Sequence, residues 1–177
     1  MTLWIEKTNT EDDSFYALFT VESRLTENHF NLRRYPMEFQ KFADTYVVRL
    51  DKGEEIIASL QKLCETEQIA LASVTGIGAA DHAVVGLYDV GQRQYHKTEL
   101  NGPMEITSLM GNVTQKEGAV YLHLHINLCN KEMQIMGGHL NECRIGATGE
   151  IVVRTLPGKV ERLLDEKVTG LNLFRFV

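Results

Sequence analysis

Residues 120–128 read Val-Tyr-Leu-His-Leu-His-Ile-Asn-Leu, with an apolar side chain at every even position and a polar or amphipathic one at every odd position. Side chains alternate between the two faces of a β-strand, so this period of two marks a strand with one face in a core. Val120, Leu122, Leu124, Ile126 and Leu128 form the core face, which puts Tyr121, His123, His125 and Asn127 together on the other. Two imidazoles at positions i and i+2 can converge on one point, and neutral imidazole is a common ligand of zinc and other transition metals. Taken alone, a His-x-His pair also fits solvated or structural histidines.

A third histidine follows in Met136-Gly137-Gly138-His139-Leu140. Paired glycines allow another chain segment to approach closely, so His139 can complete a three-histidine face. Three protein ligands leave a fourth position for water or substrate, the arrangement of catalytic rather than structural zinc sites. Glu105 and Glu150 are candidate general acids or bases beside a metal-bound water, and equally candidates for solvated or salt-bridged strand residues. His29, His82 and His96 lack comparable partners and read as surface residues. Gly76-Ile77-Gly78 ends a strand with no helix opening after it, so a turn or bulge is expected there rather than a phosphate-cradling loop.

Elsewhere, Tyr46–Leu50 reads as a strand, and Asp51-Lys52-Gly53-Glu54 offers a helix N-cap at Asp51 with an acid three positions on. Ile56, Ile57, Leu60, Leu63 and Cys64 then recur at helical spacing as one apolar stripe. Seven strand-like stretches come after it: 69–75, 83–90, 94–100, 105–114, 119–128, 132–136 and 149–156. Strands in succession without intervening helices favour antiparallel pairing. The expected class is therefore α+β, a curved, mainly antiparallel sheet with one principal helix packed on one face. The alternating end Leu171–Phe176 is expected to be tied into the sheet or an interface.

The chain has 177 residues, enough for one sizeable core. Regular patterning starts after Tyr35-Pro36, so residues 37–177 are expected to form the domain and residues 1–36 an N-terminal extension, an arm packing on a neighbouring subunit, or an overlong reading frame. Cys64, Cys129 and Cys143 form no CxxC pair and no even set, which favours reduced packing residues. No apolar run is long enough to span a membrane, and the first thirty residues are too acidic for a secretory leader, so a cytoplasmic protein without membrane association is expected. The net charge of -6 opposes a polyanionic partner.

Five segments, taken together and in order, resemble the plants-and-prokaryotes-conserved (PPC) domain. They are Arg49-Leu50-Asp51-Lys52-Gly53-Glu54-Glu55-Ile56, Val74-Thr75-Gly76-Ile77-Gly78-Ala79, Gly102-Pro103-Met104-Glu105-Ile106-Thr107, His123-Leu124-His125 and Gly137-Gly138-His139-Leu140. The resemblance covers roughly residues 40–175. It implies an α+β domain that assembles as a homotrimer, and a surface on which the three histidines meet a metal in prokaryotic members. In plants the domain follows an AT-hook, whose Arg-Gly-Arg core enters the DNA minor groove; this chain contains no Arg-Gly-Arg. The plant association motif Gly-Arg-Phe-Glu-Ile-Leu is matched at Gly102, Glu105 and Ile106 but not at Pro103, Met104 and Thr107, so partner specificity does not carry over.

The expected function is that of a stand-alone, homotrimeric PPC-domain protein binding a divalent transition metal, zinc by preference, through His123, His125 and His139, with DNA as a weak partner in a DNA-associated regulatory role. The alternative is a metal-dependent enzyme acting on a small molecule. Tyr121 and Asn127, on the same strand face, are the expected donors behind the metal ligands.

Overall fold

The structure, a computed structural model, describes residues 37–176; the expectations for residues 1–36 and for His29 lie outside the described residues. Eight strands and one helix follow in the order β1 (Glu38–Phe42), β2 (Thr45–Asp51), α1 (Ile56–Thr66), β3 (Ala72–Asp89), β4 (Gln94–Lys116), β5 (Ala119–Cys129), β6 (Ile135–Thr155), β7 (Glu161–Leu164) and β8 (Asn172–Arg175). All pairings are antiparallel except a parallel contact between β4 and β7 at Gln115 and Glu161. The curved antiparallel sheet is as expected, but the molecule is richer in strand than an α+β reading implies, because its helix is only 11 residues long.

The extra strand content comes from fusion. The stretches expected at 69–75 and 83–90 merge in β3, which starts at Ala72; those at 94–100 and 105–114 merge in β4; of 132–136 only Ile135 and Met136 are strand, the start of a β6 that runs on through the stretch expected at 149–156. Register shifts at Gly76/Gly78 and Ala80/His82 bend β3 without ending it, which is how bulges curve a sheet. The Gly76-Ile77-Gly78 bulge is as expected. Gly78 has a φ of 154° and lies under the Gly149 backbone, where a Cβ would come within 2.9 Å of the Gly149 Cα.

Bending lets the long strands close on one another. β3 pairs with both β4 and β6, and β5 also pairs with both β4 and β6, so the four form a closed circuit of hydrogen bonds. Inside lie the apolar faces foreseen from the alternation, with Tyr46, Val48 and Leu50 from β2 and Leu124, Ile126 and Leu128 from β5 all buried. Val120 and Leu122 pack against this core at its edge. The helix adds Ile56, Leu60, Leu63 and Cys64, fully buried. Each such side chain contributes about 1.5–3 kcal/mol on burial.

The helix starts later than expected. Its N-cap is Glu55, not Asp51: the Glu55 carboxylate accepts from the backbone N–H groups of Ile57 at 3.0 Å and Ala58 at 2.6 Å, and also from Cys143 N–H on β6 at 3.0 Å. Glu54 instead ties Asp51 N–H and Met37 N–H, each at 2.7 Å. Glu55 thereby caps the helix and fixes it to the sheet. Glu55→Ala is expected to cost about 1–2 kcal/mol, read as a lower urea midpoint with an unchanged slope.

The C-terminal segment is tied down as expected. β8 pairs with β7, and Gln115 N–H donates to Val160 C=O at 3.0 Å, attaching the hairpin to the end of β4.

Candidate metal centre

Strand β5 presents His123 and His125 on its outer face, and β6 places His139 directly opposite His125 in the antiparallel register. The three rings cluster tightly, with centroids 5.2 Å (123–125), 5.1 Å (123–139) and 5.5 Å (125–139) apart. One ring nitrogen from each lies within 4.8 Å of the others. Around a tetrahedral ion with bonds of ~2.0–2.1 Å, ligand nitrogens sit about 3.3 Å apart, so small χ rotations bring these three onto one ion. The donor set of three neutral imidazoles fits a divalent transition metal.

His139 reaches this position because Gly137 and Gly138 carry no side chains. A Cβ on Gly137 would overlap the Ile126 carbonyl oxygen of β5, and one on Gly138 would lie 2.7 Å from the Gly86 carbonyl oxygen of β3. The glycine pair thus seats β6 between β3 and β5, the close approach the sequence suggested.

His123 and His139 are half-buried and His125 is exposed. Burial, with the Arg162 charge and the neighbouring rings, pushes the His123 pKa down to about 4. Burial also lowers that of His139, helped by His125 and Arg162. Both rings are therefore neutral at pH 7 and hold lone pairs for a metal.

Arg162, from β7, is the residue the sequence did not reveal. It is only 8% exposed. Its Nε donates to Thr114 Oγ1 at 2.9 Å, Nη1 to Asn172 C=O at 2.9 Å and Nη2 to Asn112 Oδ1 at 2.8 Å, while Nη2 also lies 3.4 Å from His123 Nδ1. The rings of Tyr121 and Phe174 cover it, with centroids 4.8 and 4.6 Å from Cζ. No local pattern marks Arg162: its partners lie up to 50 residues away and are assembled only by the β4–β7 contact.

The expected supporting donors divide. Tyr121 lies beside the site but under the Arg162 guanidinium, and its hydroxyl accepts from Asn172 Nδ2 at 3.4 Å. Asn127 is turned away and donates to Ser108 Oγ at 3.0 Å. Asn141 serves instead, bonding the His139 carbonyl at 3.1 Å and the Tyr95 hydroxyl at 2.7 Å, with the Tyr95 ring edge-on to His139.

A cavity of about 940 Å³ opens on the histidines between β3, β5, β6 and β8. Neither Glu105 nor Glu150 lines it. Glu105 faces a separate depression near Cys129 and Lys131, and Glu150 pairs with Arg49 and Ile77 on the far part of the sheet. The structure does not bring these carboxylates to the histidines. His96 is exposed as expected, but His82 is not a plain surface residue: it lies 2.9 Å from Asn101 Oδ1 and 3.5 Å from Glu142. Burial pushes the Cys64 and Cys143 thiols up to about 12, which makes them packing groups rather than nucleophiles.

The family model for the Plants and Prokaryotes Conserved (PCC) domain matches residues 37–157. Among solved structures, a candidate DNA-binding protein of Bacteroides thetaiotaomicron is 27% identical with a TM-score of 0.78, over 80% of this chain and 99% of that one. A metal-containing protein of Archaeoglobus fulgidus is 34% identical, TM-score 0.70, over 80% and 99% of the two chains. A plant- and prokaryote-conserved protein of Pyrococcus horikoshii is 29% identical, TM-score 0.68, over 80% and 95%. No curated protein matches. Among the described residues no helix is long and apolar enough to cross a membrane.

Proposed function

The chain belongs to the Plants and Prokaryotes Conserved domain family, and from that premise we propose that it is a homotrimeric metal-binding protein that holds one divalent transition ion per chain, zinc by its donor set, on His123, His125 and His139. The observation that carries this reading is the convergence of three imidazole nitrogens from two paired strands at the mouth of a cavity. The likeness to a metal-containing archaeal protein over 80% of the chain supports it. When bound, the ion supplies Lewis acidity and an open coordination position. Burial and the Arg162 charge keep His123 and His139 neutral, and Asn141 holds the His139 backbone. Titration of zinc into dialysed, untagged protein is expected to saturate at one ion per chain. A failure to bind, or binding unaffected by removal of these histidines, would contradict the proposal.

The trimer reading draws support from the outer sheet face. Val47, Val152, Thr75, Met110 and His125 stand in one register row across β2, β6, β3, β4 and β5. Val47, Val152 and Met110 are 48%, 39% and 59% exposed, with Ile77 beside them at 56%. An open apolar face of this kind needs a partner, and the family likeness supplies the number three. Light scattering is expected to give three chains per particle at micromolar concentration, and Val152→Glu with Met110→Glu to give one. A wild-type monomer would defeat the reading.

The family's DNA-associated role is the second reading, supported by the likeness to candidate DNA-binding proteins. The first 36 residues hold four of 18 basic and six of 24 acidic side chains, so residues 37–177 keep 14 against 18, net -4. DNA binding by this chain is therefore expected to be weak and non-specific at physiological salt. A tight complex with a steep salt dependence in a filter-binding titration would show that a local basic patch overrides the net charge. We take residues 37–177 as one unit, with the β7–β8 hairpin as part of it and residues 1–36 as an extension.

The small-molecule alternative gains from the cavity, because a pocket over an open coordination position is what a metal-dependent enzyme requires. Within one chain neither Glu105 nor Glu150 lines this cavity.

A further inference from the structure

The cavity beside the histidines has a chemical bias of its own. The chain carries 24 acidic residues against 18 basic ones, yet no Asp or Glu lines this cavity, while a guanidinium does. Arg162 is 92% removed from solvent yet has no carboxylate partner among the described residues. All its close acceptors are neutral: a hydroxyl, a backbone carbonyl and a side-chain amide. A buried cation without a counter-charge is costly, and here it faces a space large enough for a small molecule. Leu87, Leu171 and Leu173 add apolar lining to the same cavity.

We propose that this cavity is a binding site for a small organic acid, with its carboxylate taken by Arg162 and its apolar body lying against the β3 and β8 wall. The inference rests on the metal reading for its full strength, through a simple constraint. A guanidinium has five N–H groups; three serve Thr114, Asn172 and Asn112, a fourth points at His123 Nδ1 over 3.4 Å, and one on Nη1 is free. A neutral imidazole has one lone pair. When His123 gives it to a metal, Nδ1 is either the ligating atom or the protonated one, and in neither state can it accept from Arg162. Metal loading thus frees a second N–H of Arg162 and puts a second positive centre beside it. The anion site is completed by the ion, and by linkage the anion must tighten the metal in the same ratio.

The test uses benzoate as the acid, benzamide as its neutral isostere and inorganic phosphate as an anion with no apolar body, each titrated calorimetrically into zinc-loaded and zinc-free full-length protein. Benzoate is expected to bind the loaded protein at least tenfold tighter than benzamide or phosphate, and to bind the zinc-free protein more weakly but with the same preference. Arg162→Gln is expected to lose at least tenfold in benzoate affinity in the zinc-free protein and to leave benzamide unchanged. If that variant fails to fold, the benzoate-to-benzamide ratio in the wild type decides the matter alone. Equal binding of benzoate and benzamide, or phosphate as tight as benzoate, overturns the proposal. Should zinc not bind at all, the metal reading fails, while the ratio in the zinc-free protein still judges this one.

Discussion

Alanine at His139 or at His123 is expected to lower zinc affinity by at least a hundredfold while the protein stays folded. Each imidazole supplies one of only three protein bonds to the ion, and two histidines without a third leave an exposed bidentate site. The change is tolerable to the fold because both side chains sit on the outer face of the β5–β6 pair, away from the core formed by Leu124, Ile126 and Leu128. Circular dichroism should therefore be unchanged while zinc competition against a chromophoric chelator shows the loss. In the wild type, acid has the same effect for a different reason. The His123 pKa is pushed down to about 4 by burial first and then by Arg162 and the neighbouring rings. Since its folded pKa lies below the ordinary value of 6.5, the ring takes up its proton late, and it competes with zinc only as the pH approaches that lowered value. Zinc binding is therefore expected to hold at pH 6 and to be lost as the pH falls towards 4. Full release by pH 6 would contradict this ordering.

The second large effect is on the fold itself. Gly137→Ala is expected to destabilise the protein by about 3 kcal/mol, because the added methyl would overlap the Ile126 carbonyl oxygen and lie 3.0 Å from the Asn127 Cα, both backbone atoms of β5 that have no room to move. The β5–β6 pairing is only five residues long, from His125/His139 to Cys129/Ile135, and it is the link that closes the four-strand circuit. Forcing it apart also displaces His139. The variant should show both a lower urea midpoint and weaker zinc binding, whereas a core substitution such as Leu60→Ala, about 2–5 kcal/mol, should lower stability with zinc affinity per folded chain preserved. Unchanged stability in Gly137→Ala would mean that β5 and β6 are not in contact as described.

What was legible in the sequence was whatever depends on local period. The alternation from Val120 to Leu128 located β5, its buried face and the two histidines, and the glycine pair marked where His139 could come close to β5. The helix was legible for the same reason, from its apolar stripe, although its cap was not: Asp51 is the better capping type, and only the packing of Glu55 onto Cys143 N–H of β6 makes glutamate the cap. Strand continuity was hidden because glycines read as breaks in sequence, and in a curved sheet they serve as bends. Arg162 was hidden more completely. Its role is set by Asn112, Thr114, Asn172 and His123, which the tail meets only after β4 and β7 pair. Asn127 shows the reverse error: it shares a strand face with the histidines, but Ser108 on β4 claims its amide.

Anomalous diffraction at the zinc edge from crystals of untagged protein grown with zinc tests whether the three histidines hold a metal. One strong peak per chain is expected, ~2.0–2.1 Å from a ring nitrogen of each of His123, His125 and His139. Zinc found elsewhere in such crystals, with no peak among these three rings, would contradict it.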